Sequence, residues 1–283
     1  MAVAAVGQIC STGNMLHNLK QCRTLVQKAA AKGAKALFLP EASDYIASSP
    51  AETVSLVKSV QESEFVRGLQ EEARSKSIAI NVGVHEPAEG GKKVKNTLLW
   101  IDEKGEIVQR YQKLHLFDVE LPGGPVIRES DSVEKGSSIL PPFDSALGRI
   151  GMTICFDLRF PEISLALKRQ NAQVITYPSA FTVPTGKAHW APLLRARAIE
   201  TQAYVIAAAQ VGFHNVKRRS YGHSVIISPW GEMLAELGYE ELKRDGNGDP
   251  IPEIAFADID LKEVERIRKE MPLLRRTDMY PEV

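Results

Sequence analysis

The sequence predicts an α/β fold in which mixed sheets carry helices on one side. Short apolar runs of strand length alternate with amphipathic runs of helical length from the N-terminus to residue 270. Two hairpin signals, at residues 103–105 and 229–231, interrupt this alternation. Because hairpins join antiparallel neighbours, they disfavour a purely parallel, doubly wound sheet.

The N-terminal part begins with an apolar strand, which an amphipathic helix follows at residues 14–32. The apolar residues of that helix approximate one face, and Gly33 is placed to end it. The run 36–39 is apolar throughout, as expected of a strand buried on both faces. Up to residue 111 the sequence predicts helices at 14–32 and 64–76 and strands at 2–10, 36–39, 78–84, 97–102 and 106–111.

In the C-terminal part, residues 149–154 predict a strand that runs directly into Cys155. Pro161 suits the first turn of the next helix, and Asp260 is placed to cap the last one. The tail 271–283 looks too polar to pack alone and is expected to reach a partner subunit. The remaining predictions are helices at 161–170, 188–202 and 261–270 and strands at 174–177, 204–210, 223–228, 231–237 and 254–259.

The composition is that of an ordinary globular protein, since 44% of the 283 residues are hydrophobic and 25% are charged. No linker divides the chain, which favours one domain over residues 1–283. The 35 basic and 35 acidic residues balance, so no excess charge indicates a nucleic-acid or membrane partner. The first ten residues are apolar, but they lack a basic flank and are too short to span a bilayer.

The three cysteines, Cys10, Cys22 and Cys155, show neither disulfide nor zinc-site spacing. An odd count without a secretory signal favours a reducing compartment. We therefore expect a cytoplasmic protein, with a mitochondrial pool as the alternative if a transit peptide has been removed. The histidines also lack ligand spacing, so no metal is expected.

Three segments each place a reactive side chain just past a predicted strand, where α/β folds present functional groups. Glu41 follows a buried strand, and burial would raise its pKa toward that of a general base. Lys113 follows another strand, and its ammonium could neutralise an oxyanion. Cys155 lies at a strand-to-helix turn that would expose its sulfur, as a nucleophile elbow does. Taken singly, each residue could instead be structural: a solvent-facing glutamate, a surface lysine or an inert core cysteine.

Taken together, the three segments resemble the Glu-Lys-Cys triad of the nitrilase (carbon–nitrogen hydrolase) superfamily. The resemblance covers essentially the whole chain. It implies that family's four-layer α-β-β-α sandwich and a homodimer packed helix layer to helix layer. The matching motifs, in the family's order, are Pro40-Glu41, Lys113-Leu114-His115 and Cys155-Phe156-Asp157-Leu158-Arg159-Phe160-Pro161-Glu162.

The resemblance also implies a mechanism that needs neither a metal nor an organic cofactor. Lys113 would lower the pKa of the Cys155 thiol and would stabilise the tetrahedral oxyanion together with the Phe156 N–H. Glu41 would take the thiol proton, pass it to the leaving ammonia and then activate water against the thioester. Glu129 resembles a second glutamate that orients the lysine and the substrate amide; otherwise it is an exposed loop residue.

Within the family, the chain most resembles the deaminated glutathione amidase branch, on residues 176–181, 185–186, 189–190, 194–200, 219–224 and 229–231. That branch hydrolyses the 2-oxo acid analogue of glutathione to 2-oxoglutarate and Cys-Gly. Its substrate carries a carboxylate beside a ketone, and the small-molecule pocket therefore needs a cation. Arg159 is the candidate anchor because a guanidinium grips a carboxylate with two hydrogen bonds. The resemblance places Phe181 and Thr185 on the pocket wall.

Several alternatives stay open. An omega-amidase acting on 2-oxoglutaramate, or another branch, would keep the same triad, and a non-catalytic scaffold would keep only the fold. Arg159 could form a structural ion pair with Glu162 or Asp157, and Phe181 could be a core aromatic. Three further charges at helical spacing are better explained by intrahelical pairs or a subunit interface: Arg195, Arg197 and Glu200.

Overall fold

The computed structural model of the protein describes residues 1–120 and 126–281. The proline- and glycine-rich stretch 121–125 of the loop after Lys113 lies outside the described residues, as do the last two residues of the predicted partner-reaching tail. The α-helices in the described ranges are α1 Met15–Ala31, α2 Pro50–Leu56, α3 Glu64–Lys76, α4 Pro161–Arg169, α5 Val183–Thr201 and α6 Leu261–Glu270.

The strands in the same ranges are β1 Ala2–Ile9, β2 Ala36–Phe38, β3 Ala79–Pro87, β4 Val94–Ile101, β5 Ile107–Gln112, β6 Asp118–Glu120, β7 Val126–Arg128, β8 Val133–Glu134, β9 Phe143–Ser145, β10 Gly148–Met152, β11 Val174–Thr176, β12 Tyr204–Ala207, β13 Ala209–Phe213, β14 Arg219–Tyr221, β15 Val225–Ile227, β16 Met233–Glu236 and β17 Glu253–Ile259.

Two mixed sheets carry the fold. Over the described ranges, the first sheet has nine strands, in the order β14-β13-β1-β2-β3-β4-β5 with β17 beside β1 and β8 beside β4. Its central strands β1, β2 and β3 run parallel, and β3, β4 and β5 are antiparallel neighbours. The second sheet has six strands, in the order β16-β15-β12-β11-β10-β9, with β10, β11 and β12 parallel.

The two sheets face each other across one hydrophobic core, and helices cover their outer faces. Phe38 of the first sheet and Met152 of the second belong to the core between the sheets. Helices α1 and α3 pack on the outer face of the first sheet, around residues such as Leu25 and Phe65. Helices α4 and α5 cover the second sheet, where Trp190 is fully buried. The predicted four-layer α-β-β-α sandwich is confirmed.

The predicted strand 204–210 is in fact two strands that belong to different sheets. β12 pairs with β11 in the second sheet, whereas β13 pairs with β1 in the first, and Ala208 alone separates them. Residues on both sides of Ala208 are buried and the run is apolar, so the sequence pattern does not show that one strand ends there and another begins. Ala208 is therefore a direct covalent crossing between the two sheets.

Other differences concern short or weakly patterned elements. Helix α5 begins at Val183, five residues before the predicted start, because Pro184 suits its first turn. Helix α2 was not predicted; it has no buried residue and hence no apolar face to detect. The short strands β6 to β9 and β14 were also missed, since two or three residues are too few to show a period of two.

The turn that carries Glu41 lies unusually close to β3. A Cβ added at Gly83 would stand 2.6 Å from the Glu41 Cα and 2.9 Å from the Pro40 carbonyl oxygen. Both are backbone atoms, so neither can rotate away. Only glycine allows this approach, which brings the end of β2 against β3.

We predict that Gly83→Ala lowers the free energy of unfolding by about 1–3 kcal/mol, because the added methyl group overpacks two backbone segments. Gly246→Ala is the matched control, since a Cβ there meets nothing within 4 Å, and its effect should stay within about 0.5 kcal/mol. Urea unfolding followed by circular dichroism measures both. Equal stabilities for the two variants would mean that β3 does not need glycine at this position.

Candidate active site

Strand ends bring the predicted reactive residues together at one edge of the sandwich. Glu41 follows β2, Lys113 follows β5 directly, and Cys155 follows β10. The first two belong to one sheet and the third to the other, so the site lies where the sheets meet. All three side chains are nearly inaccessible to solvent.

The Lys113 ammonium lies between two carboxylates. Its Nζ donates to Glu41 Oε1 at 2.8 Å and to the two oxygens of Glu129 at 3.0 and 2.9 Å. The Lys113 side chain is 2% exposed, against 5% for Glu41 and 15% for Glu129. With two carboxylates and one ammonium, this buried cluster carries a net charge of −1. Glu129 is therefore a mostly buried partner of the lysine and not an exposed loop residue.

Asn96 completes the polar cluster. Its Nδ2 donates to Glu41 Oε1 at 2.8 Å and to Glu129 Oε1 at 3.2 Å, so one amide bridges both carboxylates. Its Oδ1 is buried without a hydrogen-bond partner among the described residues. Sequence reasoning missed Asn96, although a signal exists: it alternates with Leu98 and Trp100 on β4, a face that is otherwise apolar.

Glu41 is held from the backbone side as well. Its Oε2 accepts from the Ala180 N–H at 2.9 Å, on the segment that follows β11. Its carbonyl oxygen accepts from Gln210 Nε2 at 3.0 Å, and Gln210 is itself fully buried on β13. Ala42 adopts a positive φ of 52°, which closes the turn. Contacts from both sheets thus fix the carboxylate, and the sequence gives no local signal for Gln210.

Cys155 opens a short 3₁₀ turn, residues Cys155–Arg159, between β10 and α4. Its φ is 47°, a left-handed value that is uncommon for a residue other than glycine. Its N–H donates to the Pro178 carbonyl at 2.9 Å. The predicted sharp turn is present, but the residue is only 8% exposed, so access to the sulfur is narrow.

The electrostatics differ from the simple expectation. Burial raises the pKa of the Cys155 thiol, the Glu41 charge raises it further, and the Lys113 ammonium only opposes them. Burial alone would raise the pKa of Glu41, but the Lys113 charge and hydrogen bonds from Lys113, Cys155 and Asn96 lower it. Burial thus raises the pKa of Glu41 and the Lys113 charge lowers that of the thiol, as expected, but other causes outweigh both effects. The net shift of each pKa is opposite to the expected one.

The protonation states follow from these shifts. Burial disfavours the Lys113 charge, yet Glu129 and Glu41 hold the pKa of the ammonium well above its ordinary value. At neutral pH the lysine is a cation, Glu41 is a carboxylate and Cys155 is a neutral thiol. Burial is the main cause of the raised thiol pKa, because a thiolate would be desolvated; it would also stand beside the negative charge of Glu41.

The residues predicted to bind substrate divide into two groups. Arg159 lies near the thiol, and its Cζ is 5.7 Å from the ring centroids of both Phe156 and Phe181. Its Nη2 lies 3.2 Å from His189 Nδ1. Among the described ion pairs, Asp157 pairs with His115 and none joins Arg159 to Asp157 or Glu162, so the expected ion pair of Arg159 is absent there. Phe181 also packs on Trp190, with centroids 4.8 Å apart, and is thus both a wall of this region and a core aromatic.

Thr185 lies in the first turn of α5. Its hydroxyl hydrogen-bonds Thr182 Oγ1 at 2.8 Å, and no described contact joins it to Arg159 or Cys155. Farther along α5, Arg197 pairs with Glu200 at 2.9 Å, as the spacing indicated. The Arg197 guanidinium also donates to the Leu158 carbonyl, which ties α5 to the turn after Cys155.

A cavity of about 620 Å³ opens elsewhere, beside β5, among residues such as Lys95, Arg110 and Ser137. Its described lining does not include the Lys113 cluster or Cys155. Within residues 1–120 and 126–281, no group of three or more His, Cys, Asp or Glu side chains is arranged to hold a metal ion. In the same ranges, no helix combines the length and apolar composition needed to cross a membrane.

Comparisons with known proteins agree with this architecture. A family model for carbon-nitrogen hydrolases matches residues 3–269. The Schizosaccharomyces pombe protein named probable hydrolase nit2 is 49% identical over 284 residues, which cover 100% of both chains. The deaminated glutathione amidase of Mus musculus is 42% identical over 286 residues, covering 99% of this chain and 85% of that protein. The crystal structure of the C. elegans NitFhit protein matches with a TM-score of 0.90 at 38% identity, over 99% of this chain and 67% of that one.

The chain therefore belongs to the carbon–nitrogen hydrolase family, the nitrilase superfamily. It is an enzyme that hydrolyses carbon–nitrogen bonds other than peptide bonds.

We predict that the stabilising effect of Glu41 depends on pH. A carboxyl group whose pKa is lowered on folding stabilises the protein fully above its unfolded pKa of about 4.3, and loses this effect as pH falls through the lower folded value. Glu41→Gln weakens the charge-assisted hydrogen bonds from Lys113 and Asn96, so it should be less stable than wild type by about 1.5–3 kcal/mol at pH 7, with the gap closing below about pH 4.

Urea unfolding of both proteins between pH 3 and 8 measures the gap. Glu240→Gln, at an exposed position, is the control and should differ little from wild type at any pH. A gap that stays constant down to pH 3 would contradict a carboxylate stabilised by Lys113.

Proposed function

We propose that this chain is an amidase that hydrolyses deaminated glutathione to 2-oxoglutarate and Cys-Gly through a thioester on Cys155. The observation that carries the proposal is the buried Lys113 ammonium, held between Glu41 and Glu129 beside the Cys155 thiol. A buried nucleophile, a carboxylate and a cation in contact are the groups that acyl transfer requires.

In the acylation step, the Cys155 sulfur attacks the amide carbonyl while Glu41 accepts the thiol proton. Transfer in concert with attack avoids a free thiolate, which the net negative charge of the cluster disfavours. The carbonyl oxygen becomes an oxyanion, which the Lys113 ammonium and the Phe156 N–H stabilise. The C–N bond then breaks, and Glu41 returns the proton to the leaving nitrogen. With deaminated glutathione that nitrogen belongs to Cys-Gly; ammonia would leave only from 2-oxoglutaramate.

In the deacylation step, water replaces the departed amine. Glu41 takes a proton from the water as the oxygen attacks the thioester, and the Cys155 sulfur leaves with that proton. The products are the free acid and the resting thiol. Glu129 keeps the lysine charged and oriented through both steps, because it contributes two of the three hydrogen bonds that Nζ donates.

Arg159 supplies the positive charge for the 2-oxo acid end of the substrate. Its guanidinium lies near the rings of Phe156 and Phe181, and partial burial lowers its pKa. No carboxylate is among its described contacts. A cation that is partly desolvated and not neutralised is suited to an incoming carboxylate. The assignment of deaminated glutathione over 2-oxoglutaramate draws on the relatives of that name at 42% identity.

The other expectations also continue as proposals. A homodimer is supported by exposed apolar side chains in the tail after α6, which would be covered by a partner: Leu273, Leu274, Met279 and Tyr280. The cytoplasmic location, the single domain and the lack of nucleic-acid or membrane partners stay predictions.

We predict that the purified protein converts deaminated glutathione to 2-oxoglutarate faster than it converts 2-oxoglutaramate. Glutamate dehydrogenase coupled to NADH oxidation detects 2-oxoglutarate from both substrates. Cys155→Ala should abolish the reaction, because no other group can form the thioester. Cys22→Ala, at a buried cysteine of α1, is the control and should keep kcat near wild type.

A preference for 2-oxoglutaramate would keep the triad and move the chain to the omega-amidase branch. Activity that survives Cys155→Ala would overturn the proposed mechanism.

We further predict that Arg159→Gln raises KM for deaminated glutathione by about 10- to 100-fold, since a charge-assisted hydrogen-bonded contact contributes about 1.5–3 kcal/mol. The KM for a simple aliphatic amide without a carboxylate should not change. Arg195→Gln, on the exposed side of α5, is the matched control. Steady-state kinetics with both substrates measures the effect, and an equal rise for the two amides would exclude Arg159 as the carboxylate anchor.

A further inference from the structure

Asp157 is a fully buried carboxylate that accepts four hydrogen bonds. Its Oδ2 accepts from the Tyr111 hydroxyl at 2.7 Å and from the Ile154 N–H at 2.9 Å. Its Oδ1 accepts from the His115 N–H at 3.1 Å and from His115 Nδ1 at 2.7 Å. No lysine or arginine is among its described partners. A buried carboxylate held by this many donors is rigid, and its loss of hydration is compensated only within this network.

The residues of this network lie close to the reactive residues in sequence. Tyr111 and His115 lie two residues before and two residues after Lys113. Asp157 lies two residues after Cys155 and accepts from the residue just before it. The network therefore joins the backbone on both sides of the lysine to the backbone on both sides of the cysteine.

The network also crosses between the two sheets. Tyr111 lies on β5 of the first sheet and His115 just beyond it, whereas Asp157 follows β10 of the second. The His115 ring stacks on Phe160, with centroids 3.7 Å apart and planes 10° from parallel. The stack holds the ring in the orientation that lets Nδ1–H donate to Asp157. We call these three residues, Tyr111, His115 and Asp157, the inter-sheet clamp.

A second histidine–aspartate pair repeats the same geometry within one sheet. Asp44 accepts from the His85 N–H at 2.8 Å and from His85 Nδ1 at 2.9 Å, and the His85 ring stacks on Tyr45 with centroids 4.3 Å apart. Here both sides of the pair belong to the first sheet, because Asp44 follows β2 and His85 lies on β3. This pair contacts neither Lys113 nor Cys155 in the described structure. Asp44 lies three residues after Glu41, but Asn96, the Ala180 N–H and Gln210 hold Glu41 independently of it. The pair is a suitable comparison for the inter-sheet clamp, because it has the same histidine–aspartate hydrogen bonds but does not join the two sheets.

We propose that Tyr111, His115 and Asp157 are positioning residues that set the distance between the Lys113 ammonium and the Cys155 sulfur. The proposal rests on the proposed function of these two groups. Cys155 needs such support, because its left-handed backbone persists only where surrounding contacts over-determine it. The oxyanion forms on a carbonyl that must reach the sulfur and the ammonium together, and a shift of about 1 Å can cost about 100-fold in rate.

A purely structural role makes a different prediction. Loss of either histidine–aspartate pair would then lower stability alike and leave kcat of the folded enzyme unchanged. The positioning role requires that only the inter-sheet clamp affects catalysis. Comparing the same substitution at His115 and at His85 separates the two roles.

The experiment compares His115→Leu with His85→Leu in the full chain. Melting temperatures should fall for both. For His115→Leu we expect kcat on deaminated glutathione to fall by about 100-fold with KM within about twofold, because positioning and not binding is lost. The rate at which iodoacetamide alkylates Cys155, followed by mass spectrometry of its peptide, should fall as well. His85→Leu should leave kcat and the alkylation rate within about twofold of wild type.

Two milder variants keep the test decisive if His115→Leu does not fold. His115→Asn presents an amide N–H near the place of Nδ1–H and should recover most of kcat. Tyr111→Phe removes one hydroxyl and leaves the ring in the core, so we expect a loss of about tenfold, the effect of one hydrogen bond to a charged group.

The positioning role is refuted if His115→Leu and His85→Leu have the same kcat and the same Cys155 alkylation rate. It is also refuted if the kcat of His115→Asn is no higher than that of His115→Leu. An unchanged Tyr111→Phe enzyme would overturn it equally. The alkylation rate needs no substrate, so it tests the clamp even if wild type does not act on deaminated glutathione. That inactivity would instead refute the proposed function.

Discussion

The buried ammonium of Lys113 is the interaction on which the site depends. Moving a carboxylate or an ammonium into a protein interior costs several kcal/mol per ion, so Glu41 and Glu129 could not both be buried without it. The lysine in turn would lose its proton in an apolar site if it lacked them. Each charge is tolerated because of the others, and this mutual dependence explains why the cluster has so many hydrogen bonds and so little exposure.

This arrangement also explains why the proposed nucleophile, the Cys155 thiol, is neutral at rest. The cluster already has one negative charge more than it can neutralise, so it does not hold a thiolate at rest. It can, however, accept a proton on Glu41 at the moment when the sulfur gives up its own. In the proposed reaction the negative charge then moves from the carboxylate toward the carbonyl oxygen of the substrate. Lys113 contacts the carboxylate and would also stabilise the oxyanion, so the chemical step would relocate charge within one ion cluster and create none.

Much of the fold could be predicted because apolar periodicity and strand-ending residues are local signals. The helix 64–76 is predicted at its observed bounds, and the reactive residues after β2, β5 and β10 stand out because each follows a predicted strand. What could not be predicted depends on long-range contacts. Gln210 supports Glu41 from 169 residues away, and the crossing at Ala208 lies within an unbroken apolar run. For Asp157, the sequence indicates an ion pair with Arg159 as the only partner, because nothing in it shows that His115 lies nearby.

The pairing of β1 has a consequence for the order in which the protein assembles during synthesis. This first strand lies between β2 on one side and β13 and β17 on the other. On the ribosome, one edge of β1 stays without a partner until residues 209–259 have been synthesised. An open, apolar strand edge is a point where chains associate wrongly. The edge of β1 is therefore an aggregation hazard in the nascent chain until β13 and β17 pair with it.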